Sequence, residues 1–365
     1  MVATSLSVGR ERSRRVRDLL GKLLLAAASC SLVALVIVAT ELLVRRLAPA
    51  YLVETRGIHV FSPEYGWIGR PGAVAAMGNG RVTLNRLGYR GRELPPRREG
   101  GPTRVVVIGD SIAFGYGVAD EQTFAHLLDT RDNGIAAANM GVQGFGPGQE
   151  LLVLQREGLR ADPDVVVLAV CFRNDLADAV LPVALYNGIN PRPRYRLVAD
   201  QLVLDDAGVR LSAPARVVSW LSDHSHLYNR LSALIARPEP SEQSWRIRKA
   251  EALRNSDYAL RLSVALVLEM QRLCRARDVQ LLVATFPGEH AYESEPELQR
   301  QFHAALRNAG VRTLALREEL RARGLGASDV TLDETGHLSP AGHRATAEAL
   351  ESEILRVAGP RSLAQ

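Results

Sequence analysis

The chain has 365 residues, 47% of them hydrophobic and 23% charged, a balance that suits a globular protein with an apolar segment attached. Its net charge of +5 comes largely from arginines near the N-terminus, and no basic stripe is interleaved with aromatics, which argues against a nucleic-acid partner. Cys30, Cys171 and Cys274 are far apart and show no CxxC spacing, which argues against a disulfide framework or a zinc site.

The first element is a run from Leu23 to Val44, apolar except for Ser29, Ser31, Thr40 and Glu41. As a helix it would span about 30 Å, enough for a bilayer core. Residues 1–22 carry Arg10, Arg12, Arg14, Arg15, Arg17 and Lys22, and only Arg45 and Arg46 follow the run. The heavier basic flank predicts a cytoplasmic N-terminus and places everything after residue 46 outside, in a bacterium the periplasm or cell surface. Glu41 lies near the outer end, where it can reach the interface or pair with Arg45 one turn on. A cleaved signal peptide is the rival reading. The run is longer than a signal h-region and lacks a small-x-small site at its end, which favours an uncleaved anchor.

Residues 45–102 are rich in Pro, Gly and Arg and read as an extracytoplasmic linker or N-terminal extension, with Arg81–Leu84 as a short strand candidate. From Thr103 strand and helix patterns alternate. Strands are expected at Arg104–Ile108, Ile135–Asn139, Val165–Val170, Gln280–Thr285 and Val311–Leu316. Helices are expected at Gln122–Asp129, Gly148–Arg160, Arg246–Arg277, Glu295–Ala309, Leu316–Arg323 and Pro340–Ala358, the last with Ser339 as N-cap and Pro340 in its first turn. This alternation predicts right-handed crossovers and a parallel α/β sheet over 103–358. Residues 178–245 break the rhythm and read as an insertion that shapes the site or covers the sheet edge.

Four clusters fall where strands end or the last helix begins. Val105-Val106-Val107-Ile108 stops abruptly at Gly109-Asp110-Ser111. Asn139-Met140-Gly141-Val142-Gln143-Gly144 follows the second strand, and Phe172-Arg173-Asn174-Asp175 the third. Asp333-Glu334-Thr335-Gly336-His337 precedes the last helix. In a doubly wound sheet all four share the carboxyl edge, where ligands bind. A serine hydroxyl needs a base, which His337 can supply near neutral pH. A carboxylate upstream can orient the imidazole, and N–H donors must face a developing oxyanion. The Ser111 amide, a glycine amide of the second cluster and the Asn174 side chain are candidates. Asp110 and Asp175 read as groups that bond backbone and order the site. His343 reads as a surface or capping histidine. The glycines near 115, 117, 144, 146 and 148 do not form a dinucleotide fingerprint.

The four ordered blocks resemble the SGNH (GDSL) hydrolase superfamily over roughly residues 103–358. The resemblance implies a flavodoxin-like three-layer α/β/α sandwich with a parallel sheet, here preceded by one transmembrane helix. It implies Ser111 as nucleophile and His337 as base, with Ser111, Gly144 and Asn174 as oxyanion donors and no cofactor or metal. Two positions depart from the pattern. Phe172 stands where a glycine is usual and would reshape the acyl pocket. Glu334 holds the position of the usual aspartate with Asp333 one earlier, so both are candidates for the third catalytic residue. The expected function is an extracytoplasmic serine esterase working through an acyl-serine intermediate. The alternatives are an O-acetyltransferase acting on cell-envelope polysaccharide, and a non-catalytic carbohydrate-binding or assembly protein on the same fold. Expected partners are an ester substrate and the membrane.

Overall fold

The computed structural model describes residues 2–47, 58–77, 80–184, 191–205, 209–235, 242–286, 297–332 and 336–358. The chain forms two compact units, one of Met1–Tyr51 with Trp220–Ala236, the other of Leu52–Ser219 with Arg237–Gln365.

Helix α1 (Val2–Leu47) runs well beyond the expected 23–44. No proline interrupts it, and Pro49 stands two positions beyond its last residue. Its stretch Arg17–Leu47 has a mean hydropathy of 2.5 in its most apolar window and is unburied, and it is the one helix among the described residues long and apolar enough to cross a membrane.

The second unit opens with two hairpins, β1 (His59–Ser62) with β2 (Gly66–Gly69), and β3 (Val74–Met77) with β4 (Gly80–Thr83). Much of the expected linker is therefore built structure. Ile58, Val82 and Leu84 bury their side chains beside Phe114. Four-residue strands are too short to show a clear alternation, so only Arg81–Leu84 was visible in the sequence.

The sheet domain follows in the order β5 (Thr103–Gly109), α2 (Ser111–Phe114), α3 (Phe124–Thr130), β6 (Ile135–Asn139), α4 (Pro147–Arg156), β7 (Val165–Cys171) and α5 (Asp175–Val180). Next come the hairpin β8 (Tyr195–Val198) and β9 (Gln201–Leu204), then α6 (Ala213–His224), α7 (His226–Ile235), α8 (Glu242–Ala252) and α9 (Ser256–Arg275). The expected insertion thus begins inside α5. The chain continues through β10 (Gln280–Phe286), α10 (Glu297–Asn308), β11 (Arg312–Ala315), α11 (Leu316–Ala322), α12 (Ala327–Val330) and α13 (Pro340–Ala358).

Five strands form one parallel sheet in the order β11-β10-β7-β5-β6. Counted among themselves they run 2-1-3-4-5, the flavodoxin-like order, and the winding reverses between β5 and β7. Every residue of β5, β6 and β7 is buried, which explains their unbroken apolar runs. Val106 and Ile108 face a core with Leu151, Leu154, Leu262, Leu266 and Phe302 from α4, α9 and α10. Val105 and Val107 face the opposite core with Phe124, Leu128, Leu316, Leu350 and Ile354 from α3, α11 and α13. The fold is the expected three-layer α/β/α sandwich.

Boundaries shift where local caps intervene. The expected helix Arg246–Arg277 breaks at a 3-10 turn, Leu253–Asn255, and Asn255 accepts from the Tyr258 amide at 3.0 Å to start α9. The expected helix Gly148–Arg160 ends as α4 at Arg156 and resumes as a 3-10 turn, Gly158–Ala161.

Arg90 ties the N-terminal hairpins to the segment after Ser111. Its side chain is 1% exposed and donates to the carbonyls of Phe114 at 3.0 Å, Gly115 and Val118 at 2.6 Å, and to Asp120 at 2.8 Å. Arg90→Ala leaves these acceptors buried without their donor and is expected to lower the unfolding free energy by about 3–5 kcal/mol. Denaturant melts of the full-length protein in detergent check this; a loss below about 1 kcal/mol would reduce Arg90 to a surface-type pair.

Candidate active site

Ser111 emerges from a tight strand–turn–helix. A Cβ at Gly109 would lie 2.8 Å from the Ala169 carbonyl, so glycine lets β5 end flush against β7. Asp110 then caps α2 by accepting from the Ile112 amide at 2.8 Å. Gly115, at φ +82°, ends the four-residue helix and turns the chain away. Ser111 is left half-buried at the point where the winding reverses.

His337 arrives from the far end of the sequence. Its carbonyl accepts from Leu332 at 2.6 Å, and Ser339 donates to Val330 at 2.8 Å, closing a short antiparallel bridge. Ser339 caps α13 through Gly342 at 3.1 Å, with Pro340 as the first helical residue. The His337 Nε2 lies 3.0 Å from the Ser111 Oγ, 226 positions away. The Tyr116 ring sits 4.5 Å from the imidazole, centroid to centroid. Asp333 and Glu334 lie outside the described residues.

The second cluster is locked against α2. Asn139 donates to the Ala113 carbonyl at 2.7 Å and accepts from the Gly141 amide at 2.9 Å. A Cβ at Gly141 would meet that of Ala113 at 2.6 Å, so the contact requires glycine. Gly144 follows at φ +71°. The loop is held from outside the sheet: Trp67 Nε1 donates to the Gln143 carbonyl at 2.9 Å, and Arg192 Nη2 to the Gly144 carbonyl at 3.1 Å. Among the described residues, neither the Ser111 nor the Gly144 amide donates to a backbone carbonyl.

The third cluster meets a buried set of carboxyls. Asn174 Nδ2 lies 3.1 Å from Asp110 Oδ2, 3.0 Å from Asp175 Oδ1 and 3.1 Å from Asp178 Oδ2. An amide nitrogen has two hydrogens, so three acceptors occupy both. In this arrangement Asn174 has no further N–H for a substrate. Asp175 also accepts from the Cys171 amide at 2.6 Å, and Asp178 pairs with Arg192 at 2.8 Å with both side chains 3% exposed. Glu150 is fully buried nearby, and both its carboxyl oxygens lack a hydrogen-bond partner among the described residues. Burial pushes Asp110 up to about 6, against hydrogen bonds from Ile112 and Asn174 and the charge of His337. Burial, with repulsion from neighbouring carboxylates, raises Asp175 and Glu150 well above the usual range.

The sequence did not reveal Trp67, Arg90, Tyr116, Arg192, Asp178 or Glu150 as parts of this site. The one signal was Glu150 itself, a lone acid leading into Leu151-Leu152-Val153-Leu154. Phe172 turns its ring edge-on to Phe302 and His303, with centroids 5.3 and 5.7 Å away. His343 is not a surface histidine: it is 1% exposed, its Nδ1 accepts from the Phe124 amide at 3.1 Å, and burial pushes it down to about 3. Among the described residues no group of three His, Cys, Asp or Glu side chains is placed to hold a metal ion.

No protein-family model and no curated protein matches the chain. Among solved structures it is similar to a member of the lipolytic protein G-D-S-L family from Veillonella parvula, with 13% identity over 68% of this chain and 96% of that one, at a TM-score of 0.39. It is also similar to a GDSL-like lipase from Bacteroides thetaiotaomicron, with 12% identity over 72% and 91% of the two chains and a TM-score of 0.38. A third is a catalytic mutant of an acetylxylan esterase from Geobacillus stearothermophilus, with 12% identity over 70% and 95% and a TM-score of 0.39. The fold rests on the strand order above and the site on its own distances, independently of these likenesses.

Glu150 gives a test of the buried cluster. Its folded pKa lies above its unfolded value, so the native state holds the proton more tightly and stability falls as pH rises past about 4.3. Each pH unit in that window costs up to about 1.4 kcal/mol. Glu150→Gln keeps the shape and removes the titration. Its melting temperature is expected to fall less than that of the parent between acid and neutral pH; parallel profiles would contradict the assignment.

Proposed function

We propose that the chain is a membrane-anchored serine hydrolase of the SGNH (GDSL) type, cleaving carboxylic esters on the extracytoplasmic side. The observation that carries this reading is the 3.0 Å contact of Ser111 Oγ with His337 Nε2 at the winding reversal of the sheet. The side of the membrane follows from the heavier basic flank before the apolar run.

Ser111 Oγ attacks the ester carbonyl carbon while its proton passes to His337 Nε2. The carbonyl oxygen becomes an oxyanion facing the Ser111 and Gly144 amides. Collapse breaks the bond to the alcohol oxygen, which takes the proton from His337 and leaves. Water then attacks the acyl-serine, returning a proton through His337 and releasing the acid. Asp333 or Glu334 orients the imidazole in this scheme. Asn174 joins the oxyanion donors once one N–H of its amide turns from the carboxyl cluster toward the substrate. Transfer of the acyl group to a sugar hydroxyl would use the same intermediate, and no observation favours it over water. The hydrogen-bonded Ser–His pair speaks against a purely binding role.

Ser111→Ala is expected to abolish labelling by a fluorophosphonate probe and to cut p-nitrophenyl acetate turnover on the order of 10⁴-fold; unchanged labelling would sink the assignment. Asn174→Ala is expected to lower kcat by about 10²–10³ with KM little changed. A variant that loses stability but keeps kcat would assign Asn174 to the carboxyl cluster alone.

A further inference from the structure

Within the first unit, Glu41 accepts three hydrogen bonds from outside its own helix. They come from the Ser225 hydroxyl at 2.8 Å and from the amides of His226 and Leu227 at 2.9 Å each. The two amides open α7 and have no intrahelical acceptor. Glu41 also binds Arg45 at 2.6 Å, and Arg45 donates to the carbonyl of His224, the last residue of α6. One turn of α1 therefore sets a carboxylate on the positive end of α7 and a guanidinium on the negative end of α6, each matched to the helix dipole.

The position of this clamp decides what surrounds it. Glu41 lies six residues before the end of α1, about 9 Å along the helix axis. That is the level where a membrane-crossing helix leaves the hydrocarbon, and where Trp and Tyr rings are favoured. The clamped corner carries exposed apolar side chains. Leu227, Leu231 and Leu234 follow one stripe of α7; Leu231 is 48% and Leu234 84% exposed, and Trp220, stacked on His224 in the last turn of α6, is 58% exposed. In water such side chains would stand bare, whereas the headgroup–acyl boundary accepts them.

We propose that Trp220–His224 and α7 form a strap in the outer interface of the bilayer that α1 crosses, with Trp220, Leu231 and Leu234 against lipid and Glu41 as its tether. The proposal rests on the reading of α1 as an anchor.

The test uses the full-length Cys30→Ser protein in phosphatidylcholine–phosphatidylglycerol vesicles, with an environment-sensitive fluorophore on an introduced cysteine; Cys171 and Cys274 are buried. A label at Leu234→Cys is expected to shift to the blue and to be quenched by lipids with a nitroxide near the headgroup. A label at Leu32→Cys is expected to be quenched by a nitroxide deep in the acyl chain. Adding Glu41→Ala should remove most of the quenching at 234 and none at 32. Quenching at 32 without quenching at 234 overturns the strap and leaves the anchor standing. No quenching at 32 overturns both. A blue-shifted but unquenched label at 234 whose emission depends on the protein-to-lipid ratio assigns the face to a second copy of the chain and also overturns the proposal.

Discussion

The contact between Ser111 and His337 joins residues 226 positions apart, and it exists only because the sheet between them closes correctly. β5 must end flush against β7 at Gly109, which presents the serine at the winding reversal. α13 must pack on the opposite core through Leu350 and Ile354, which fixes the segment that carries the histidine. Neither residue has a local reason to meet the other. The pair is thus a readout of the whole sandwich, and a change that loosens either core acts on the chemistry through this distance.

The surroundings show a different balance of forces. Asp110, Asp175 and Asp178 gather around the Asn174 amide, with Glu150 buried nearby and Arg192 paired to Asp178. So much buried acid is costly unless some of it is neutral. Burial and mutual repulsion raise Glu150 and Asp175 well above the usual carboxyl range, the direction that relieves this cost. The cluster is therefore a poor source of stability but a good scaffold: it fixes the turn after β7 and, through Arg192, the Gly144 carbonyl. The N-terminal segment braces the same edge, with Trp67 on Gln143 and Arg90 on the turn after Ser111.

What was legible in the sequence follows from the range of each interaction. The buried strands Val105–Ile108 and Val165–Val170 announce themselves because both faces are covered and every position must be apolar. Ser111, His337, Gly144 and Asn174 stand at element ends, where motif spacing and strand endings locate them. The hairpins between 58 and 83 were read as linker because four-residue strands rich in Gly carry no periodicity. Arg192 and Glu150 were missed because their partners are brought together only by the crossovers. His343 does cap, accepting the first amide of α3, but its burial depends on Phe124 at the other end of the domain, so the surface reading failed. Glu41 shows the same limit: its pairing with Arg45 is local and was expected, but its hold on α7 spans 186 positions and was not.

The central claim is that Ser111 forms a covalent acyl intermediate. The direct measurement is mass spectrometry of the intact and digested protein after acid quench of a reaction with p-nitrophenyl acetate. The account predicts an acetyl adduct on the peptide carrying Ser111, absent from Ser111→Ala. An adduct confined to another residue, or turnover with no adduct in a folded protein under burst conditions, would contradict it.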